Sequence, residues 1–363
     1  MQRPPVLVFA QSGRFIAEAA ARAGYPVRVA DCFADSDTRS VAEAVIRLPP
    51  LNELTENQLL QTLRSLSQNQ PCLLIYGTGI ERFYPILSQL PAHIEVIGNS
   101  AHTLALLREP QTFFKLLDSL QLPYPPTSLT RAPSLNPLRK RLDSAGGTAV
   151  SADNAPLKPG EFYQQRMEGE TRSVCFIADG EKPRILGWNR QTNQAGQFVL
   201  QQIWQQNQPP AHAVQLITLL EKLVKASKLK GLNSLDYILS SDKAIYILEV
   251  NPRISASVEL LSEADWLQWH IDWCRGHSPA EITQHSENQQ VRLLHICFAE
   301  KDYEVIDSPN WPAACHDLPE ACSLIRKGQP ICSVMVAADT EHACIKQLND
   351  CEQKLLKNCL KRA

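Results

Sequence analysis

The stretch GLNSLDYILSSDKAIYILEVNPRIS at 231–255 decides the fold. Two apolar runs, 232–239 and 244–251, flank a turn at Ser241-Asp242, and the spacing predicts an antiparallel hairpin. Three polar residues interrupt the runs: Asp236 on the first, and Glu249 and Asn251, two apart, on the second. Residues two apart on a strand share a face. A two-residue loop sets Ser240 opposite Lys243, and the same register sets Asp236 opposite Ile247, whose face carries Glu249 and Asn251. Opposed residues lie about 4.5–5.5 Å apart and diagonal ones about 7–8 Å, so two carboxylates and an amide oxygen surround one point. That set suits one or two hard cations, Mg²⁺ above all, which takes oxygen ligands and completes its shell with phosphates. Two acids on an apolar strand pair repel each other without a cation. Pro252 ends the strand and fixes where Arg253 leaves it, a placement that suits an anionic group. Any one of these residues would be unremarked on a solvent-facing strand; their combination in one hairpin favours a site.

Outward from the hairpin, the first hundred residues alternate strand and helix signals: PVLVFA at 5–10, a helix over 14–22, PVRVAD at 26–31, an amphipathic helix over 55–67 and CLLIYG at 72–77. This alternation predicts a parallel sheet covered by helices. Gly13 and Gly77-Thr78-Gly79 follow strands, but position 82 is Arg, so no dinucleotide fingerprint is completed. A helix over 101–120 stops before LPYPPTS at 122–128. Beyond it, EFYQQRM at 161–167, RSVCFIA at 172–178, the Asp179-Gly180 turn and RILGWNR at 184–190 read as antiparallel sheet. A helix over 211–227 precedes the hairpin, and short strands and a helix over 340–359 follow it.

Composition removes several function classes. The net charge is −2, so no global basic field draws nucleic acid or an anionic membrane. The longest apolar runs fall short of the ~20 residues that cross a bilayer, and the start MQRPPVLVFAQSGR reads as a strand without a cleavage pattern, which predicts a cytoplasmic protein. Eleven cysteines, an odd number with no Cys-x-x-Cys, are expected as thiols. Cys344, Cys351 and Cys359 recur along one face of the last helix, where core packing is a simpler role than zinc binding.

The hairpin resembles that of the ATP-grasp superfamily, which carries an acid on one strand and Glu-x-Asn-x-Arg on the next; EVNPR at 249–253 matches. The resemblance covers roughly residues 1–275 and implies an ATP-grasp fold of mixed α/β and α+β class. It divides the chain into a parallel pre-ATP-grasp domain (1–100), the ATP-grasp domain (101–278) and a small mixed C-terminal domain (279–363). It further implies that Asp236, Glu249 and Asn251 hold Mg²⁺, with Mn²⁺ as an alternative, on ATP, and that Arg253 contacts a phosphate or substrate anion. LRKRLDSAGG at 138–147 looks like the family's lysine strand and phosphate-covering loop, which makes Lys140, Ser144, Gly146 and Gly147 nucleotide contacts; FYQQRMEG at 162–169 looks like the strand entering the adenine hinge, with Gln164 at its polar position. A second nucleotide lysine common in the family is missing from LLREPQTFFK at 106–115, where Arg108 or Lys115 is left to substitute.

SLIRKGQPICSVMVAAD at 323–339 is similar to the last domain of biotin-carboxylase-like members, and the chain as a whole resembles predicted ATP-dependent carboligases related to biotin carboxylase. Arg253 is followed by Ile254-Ser255-Ala256-Ser257 instead of a bicarbonate-positioning Gln-Val-Glu-His, and no Met-Lys occurs, so self-carboxylation is not expected. The resemblance implies a ligase of cofactor or amino-acid metabolism that phosphorylates a small-molecule carboxylate and lets an amine attack, with Lys140 and Arg253 as catalytic residues. Many members are dimers, so a homodimer is compatible with it. Arg172, Arg184 and Arg190 suggest an acidic substrate, while His270 and His277, near Trp266, Trp269 and Trp273, read as packed helix residues. Two other readings remain: an ATP-binding protein of the same fold without turnover, and a nicotinamide-dependent oxidoreductase using the Gly77-x-Gly79 loop.

Overall fold

Strand β1 (Val6–Ala10), helix α1 (Arg14–Arg22), strand β2 (Val27–Asp31), helix α2 (Ser36–Val41), strand β3 (Ala44–Arg47), helix α3 (Glu56–Ser67), strand β4 (Cys72–Tyr76), the single turn α4 (Ile80–Phe83) and strand β5 (Ile94–Ile97) form the N-terminal domain. The structure is a computed structural model that describes residues 3–132, 136–141, 146–206, 208–261, 265–277 and 290–363. The five strands are parallel in the order β3-β2-β1-β4-β5. β1, β2 and β4 are buried along their whole length, which is why they read as continuous runs. Successive side chains still part to opposite faces: Val6 and Val8 pack with Ile16, Ala17 and Ala20 of α1, Leu7 and Phe9 with Leu59, Leu63 and Leu66 of α3. A capping box opens α3, Thr55 Oγ1 accepting from Gln58 N at 3.3 Å and Gln58 Oε1 from Thr55 N at 3.0 Å.

The helix expected over 101–120 is two helices, α5 (Ala101–Arg108) and α6 (Pro110–Ser119). Pro110 has no N–H to donate, and it forces Glu109 into the extended region (φ −84, ψ 118). Strands β6 (Thr127–Ser128), β7 (Pro137–Arg141) and β8 (Glu161–Gln165) make a small antiparallel sheet in the order β6-β8-β7. The remaining elements are β9 (Glu170–Asp179), β10 (Pro183–Asn193), β11 (Leu200–Gln206), α7 (Ala213–Ser227), β12 (Lys230–Leu239), β13 (Ile245–Asn251), α8 (Trp266–Cys274), β14 (Val291–Phe298), β15 (Tyr303–Val305), β16 (Cys315–His316), β17 (Leu324–Ile325), β18 (Pro330–Ala338), α9 (Glu341–Asn358) and β19 (Leu360–Arg362). A large antiparallel sheet runs β13-β12-β9-β10-β11-β14-β18-β16. β14, β18 and β16 thus continue, past residue 278, the sheet begun by β9 to β13; a second three-stranded sheet, β17-β15-β19, accompanies them. Among the described residues no helix is long and apolar enough to cross a membrane.

The decisive hairpin forms, but not in the expected register. Ser240 N donates to Ala244 O at 3.0 Å and Lys243 N to Ser240 O at 3.0 Å, while Lys243 lies in the left-handed region at φ 67. The loop therefore has three residues, and Leu239 faces Ile245. That slip alone would turn Asp236 and Glu249 to opposite faces. A bulge at Asp236/Tyr237 leaves Leu248 without an opposed residue and reverses the effect, so Asp236 stands opposite Glu249 and Ser234 opposite Asn251.

His270 and the cysteines take structural roles. His270 is 2% exposed, accepts from Leu232 N through Nδ1 at 2.9 Å and places Nε2 3.1 Å from Ile97 O; burial holds it down at about 4. All eleven cysteines are free, and Cys344, Cys351 and Cys359 are buried under or beside α9.

Candidate active site

The small sheet and the large sheet face each other across a cleft of about 910 Å³. Lys140, Gly146, Gly147, Gln164, Asp236, Glu249, Asn251 and Arg253 all line it; Ser144, also expected there, lies outside the described residues. Gly147 adopts φ +74, and a Cβ on it would stand 1.9 Å from the Phe198 carbonyl oxygen, so only glycine lets this loop close on the 194–199 segment.

The acids meet as a partly buried pair. Asp236 accepts from Asn251 Nδ2 at 3.1 Å through Oδ2 and from Gln191 Nε2 at 3.2 Å through Oδ1. Burial, with the Glu249 charge opposite, pushes the Asp236 carboxyl up to about 7. A carboxylate set opposite another acid in this way is short of positive charge, and an oxygen-seeking cation supplies it; the donor set of two carboxylates and an amide oxygen therefore fits a hard divalent ion. From the facing sheet, Lys140 Nζ donates to Gln164 Oε1 at 3.0 Å, and Gln164 Nε2 donates to Thr127 Oγ1 at 3.2 Å. Desolvation lowers the Lys140 ammonium, against the pull of Glu249 and Asp236.

Arg253 is less free than its position in the sequence implied. It is 6% exposed, its Nε donates to Glu81 Oε1 at 2.6 Å and its Nη2 to Asn251 Oδ1 at 3.1 Å. Glu81, 2% exposed, also accepts from Gly79 N at 2.8 Å and lies 3.9 Å from Arg108 Nη2. Burial raises its carboxyl, yet Arg253 and Arg108 outweigh burial and hold it below the usual range. The Gly77-x-Gly79 loop therefore turns an N–H toward Glu81 to clamp the end of β13. Arg108 donates to Val250 O at 3.0 Å within the same joint, and Lys115 is exposed on α6; neither lines the cleft, so neither replaces the missing lysine. Asn99 makes a second buried joint, donating to Asn233 Oδ1 at 2.8 Å and Pro252 O at 3.0 Å. Sequence reading missed Glu81, whose one local signal is its place two residues after the strand-end glycines.

The other end of the cleft is acidic. Arg14, 1% exposed, pairs with Glu18 at 3.0 Å, Asp317 at 3.1 Å, Asp37 at 3.9 Å and with Glu259. Asp35, Asp317 and Glu259 line the cleft beside it. Asp35 is 5% exposed, and its side chain makes no capping hydrogen bond to α2. Burial, then Asp317, Asp31 and Asp37, push it up to about 8, and burial takes Glu259 up to about 7 in spite of Arg14. The arginines expected to favour an acidic substrate do not line the cleft. Arg172 is held by Glu170 at 2.9 Å and Gln206 at 2.7 Å, and Arg190 by Glu341 at 2.9 Å above the Trp204 ring.

Residues 111–257 match the family model of the ATP-grasp domain. An uncharacterized protein of Methanocaldococcus jannaschii is 21% identical over 299 residues, 77% of this chain and 73% of that protein. The biotin carboxylase domain of the Hydrogenobacter thermophilus 2-oxoglutarate carboxylase, solved with MgADP and bicarbonate, is similar with a TM-score of 0.76 at 14% identity, covering 99% of this chain and 90% of that one. The L-amino acid ligase of Bacillus licheniformis gives a TM-score of 0.70 at 13% identity over 100% of both chains. At these identities the likeness is one of fold.

Proposed function

We propose, from the premise that this chain carries an ATP-grasp domain on an ATP-grasp fold, that it is an ATP-dependent, ADP-forming ligase joining a small-molecule carboxylate to an amine. One observation carries the reading: β12 and β13 oppose Asp236 and Glu249 in the same cleft that receives Lys140 from the other sheet. Asp236, Glu249 and Asn251 would hold Mg²⁺, or Mn²⁺ in its place. When bound, the ion offsets negative charge on the phosphates. Lys140 adds a positive charge from the small sheet, where transfer of a phosphoryl group most needs electrostatic support. Arg253, fixed by Glu81, positions Asn251 and the end of β13.

The substrate carboxylate attacks the γ-phosphorus, the bond to the β–γ bridging oxygen breaks, and ADP leaves. The amine then attacks the acyl carbon and phosphate departs with its C–O bond electrons. An ammonium must shed a proton before it attacks, and the acidic end supports this step: the Asp35 carboxylate takes protons near neutral pH. This end favours a cationic amine as co-substrate. The same reading makes the protein a cytoplasmic enzyme of small molecules, compatible with a homodimer.

Calorimetric titration of MgATP into the wild type and a Glu249→Gln variant tests the site. Micromolar binding that collapses in the variant is expected, followed by hydroxamate formation when carboxylates are screened with hydroxylamine as a trap for the acyl phosphate. Well-folded wild-type protein that fails to bind MgATP would overturn the proposal. The absence of Arg108 and Lys115 from the cleft favours a second reading, nucleotide binding without turnover; MgATP binding that yields no ADP with any screened carboxylate or amine would select it.

A further inference from the structure

Behind the cleft, the large sheet carries another cluster of reactive groups. Alternation along β14 sends Leu294, Ile296 and Phe298 to the cleft and Cys297 to the opposite face, where it packs in the core under α9. His295, two residues away, shares that face. Cys332 stands directly opposite Cys297. Glu352 comes from α9. His295, Cys297 and Glu352 each present a ligand atom within 4.8 Å of the other two. His295 Nε2 lies 3.2 Å and Cys297 Sγ 3.8 Å from Glu352 Oε1. Zinc bonds of ~2.0–2.3 Å in a tetrahedron separate ligand atoms by ~3.3–3.8 Å, so the donors already stand close to coordination distance.

We propose that His295, Cys297 and Glu352 bind a zinc-class divalent cation, with Cys332 as the nearest further donor, in a structural site that ties α9 to the back of the cleft. The donor set joins a thiolate, an imidazole and a carboxylate, all three ligand types of zinc and a mixture that the hard cations do not select. His295 and Cys297 are 6% and 5% exposed, while the Glu352 side chain, 37% exposed, gives the ion its way in. Gln202 is opposite His295. Its Nε2 lies 3.0 Å from His295 Nδ1 and its Oε1 3.0 Å from Trp204 Nε1, so Gln202 fixes the imidazole with its Nε2 toward Glu352. A bound metal would take Nε2 and the Cys297 sulfur as unprotonated ligands, their protons passing to solvent.

The test is zinc titration of the full chain, stripped with EDTA, against a chromogenic chelator, followed by cobalt substitution. One equivalent of zinc bound below micromolar concentration is expected, together with a thiolate-to-cobalt charge-transfer band. Cys297→Ser should remove the band and weaken zinc at least tenfold. Glu352→Gln, at a partly exposed helix position, should also weaken zinc tenfold and serves if the cysteine variant does not fold. Glu249→Gln, in the cleft, should leave both signals unchanged. Binding weaker than micromolar, cobalt bound without the thiolate band, or undiminished affinity in Glu352→Gln would overturn the proposal.

Discussion

The cleft has two sets of carboxylates, and they are built in opposite ways. Asp236 and Glu249 belong to one hairpin and are brought together by strand pairing a dozen residues apart. Asp35, Glu259 and Asp317 gather around Arg14 from three distant segments, through contacts spanning 245 residues to Glu259 and 303 to Asp317. Both sets have carboxyls pushed toward neutrality by burial. Among the described residues the first has no basic partner within ion-pair distance and faces Lys140 across the cleft; the second surrounds one buried guanidinium that pairs with Glu259 and Asp317 and also with Glu18 and Asp37. Similar electrostatic stress thus accompanies two chemistries, a compact pair suited to a metal ion and a broader pole suited to an organic cation.

The largest expected effect separates the two sets by function. Asp236→Asn should lower ADP release on the order of 10²-fold or more, whereas Asp35→Asn should leave MgATP affinity within about twofold. Calorimetry and a coupled ADP assay read both, and equal losses would erase the distinction. Next comes the joint that connects the parallel sheet to the end of β13. Glu81→Gln removes the buried carboxylate that Arg253 and Arg108 share, and urea unfolding should register a loss of about 3–5 kcal/mol.

A smaller effect concerns pH. The folded-state pKa of Asp35 is raised above the ordinary value of 3.8 to about 8, so the stability it contributes is fully present below the ordinary value and is lost as pH rises through about 8. Relative to the wild type, Asp35→Asn should therefore gain stability progressively between about pH 4 and pH 8 and level off above, by on the order of a few kcal/mol, read as a rising melting temperature. A constant difference across that range would show that neither burial nor its acidic neighbours raise the Asp35 carboxyl. The smallest effect belongs to the hairpin turn. Lys243→Gly relieves a left-handed residue and should add about 0.5–1 kcal/mol in the same unfolding assay without changing MgATP affinity.

What could be read from the sequence followed the same division. Buried parallel strands announce themselves as apolar runs, and Asp236, Glu249 and Asn251 stood out because each interrupts one. Their common face was legible although the register was not. A two-residue loop was expected, the third loop residue is a lysine with no special claim to φ 67, and the bulge at Asp236/Tyr237 has no local signal; the two deviations compensate. The break at Pro110 was legible in principle, since proline removes a helix donor. Glu81, Asp35, Glu259 and Asp317 were not, because their meaning lies in partners that only the folded chain supplies.

The continuity of the large sheet across residue 278 has a consequence for cutting the molecule. Severing the chain there removes β14 from β11 and leaves a row of unpaired N–H and C=O groups beside the buried Ile203 and Trp204. An open apolar edge of this kind recruits other strands. With β14 in place that edge is paired, and truncation at residue 278 would expose it to the sheet of a second molecule.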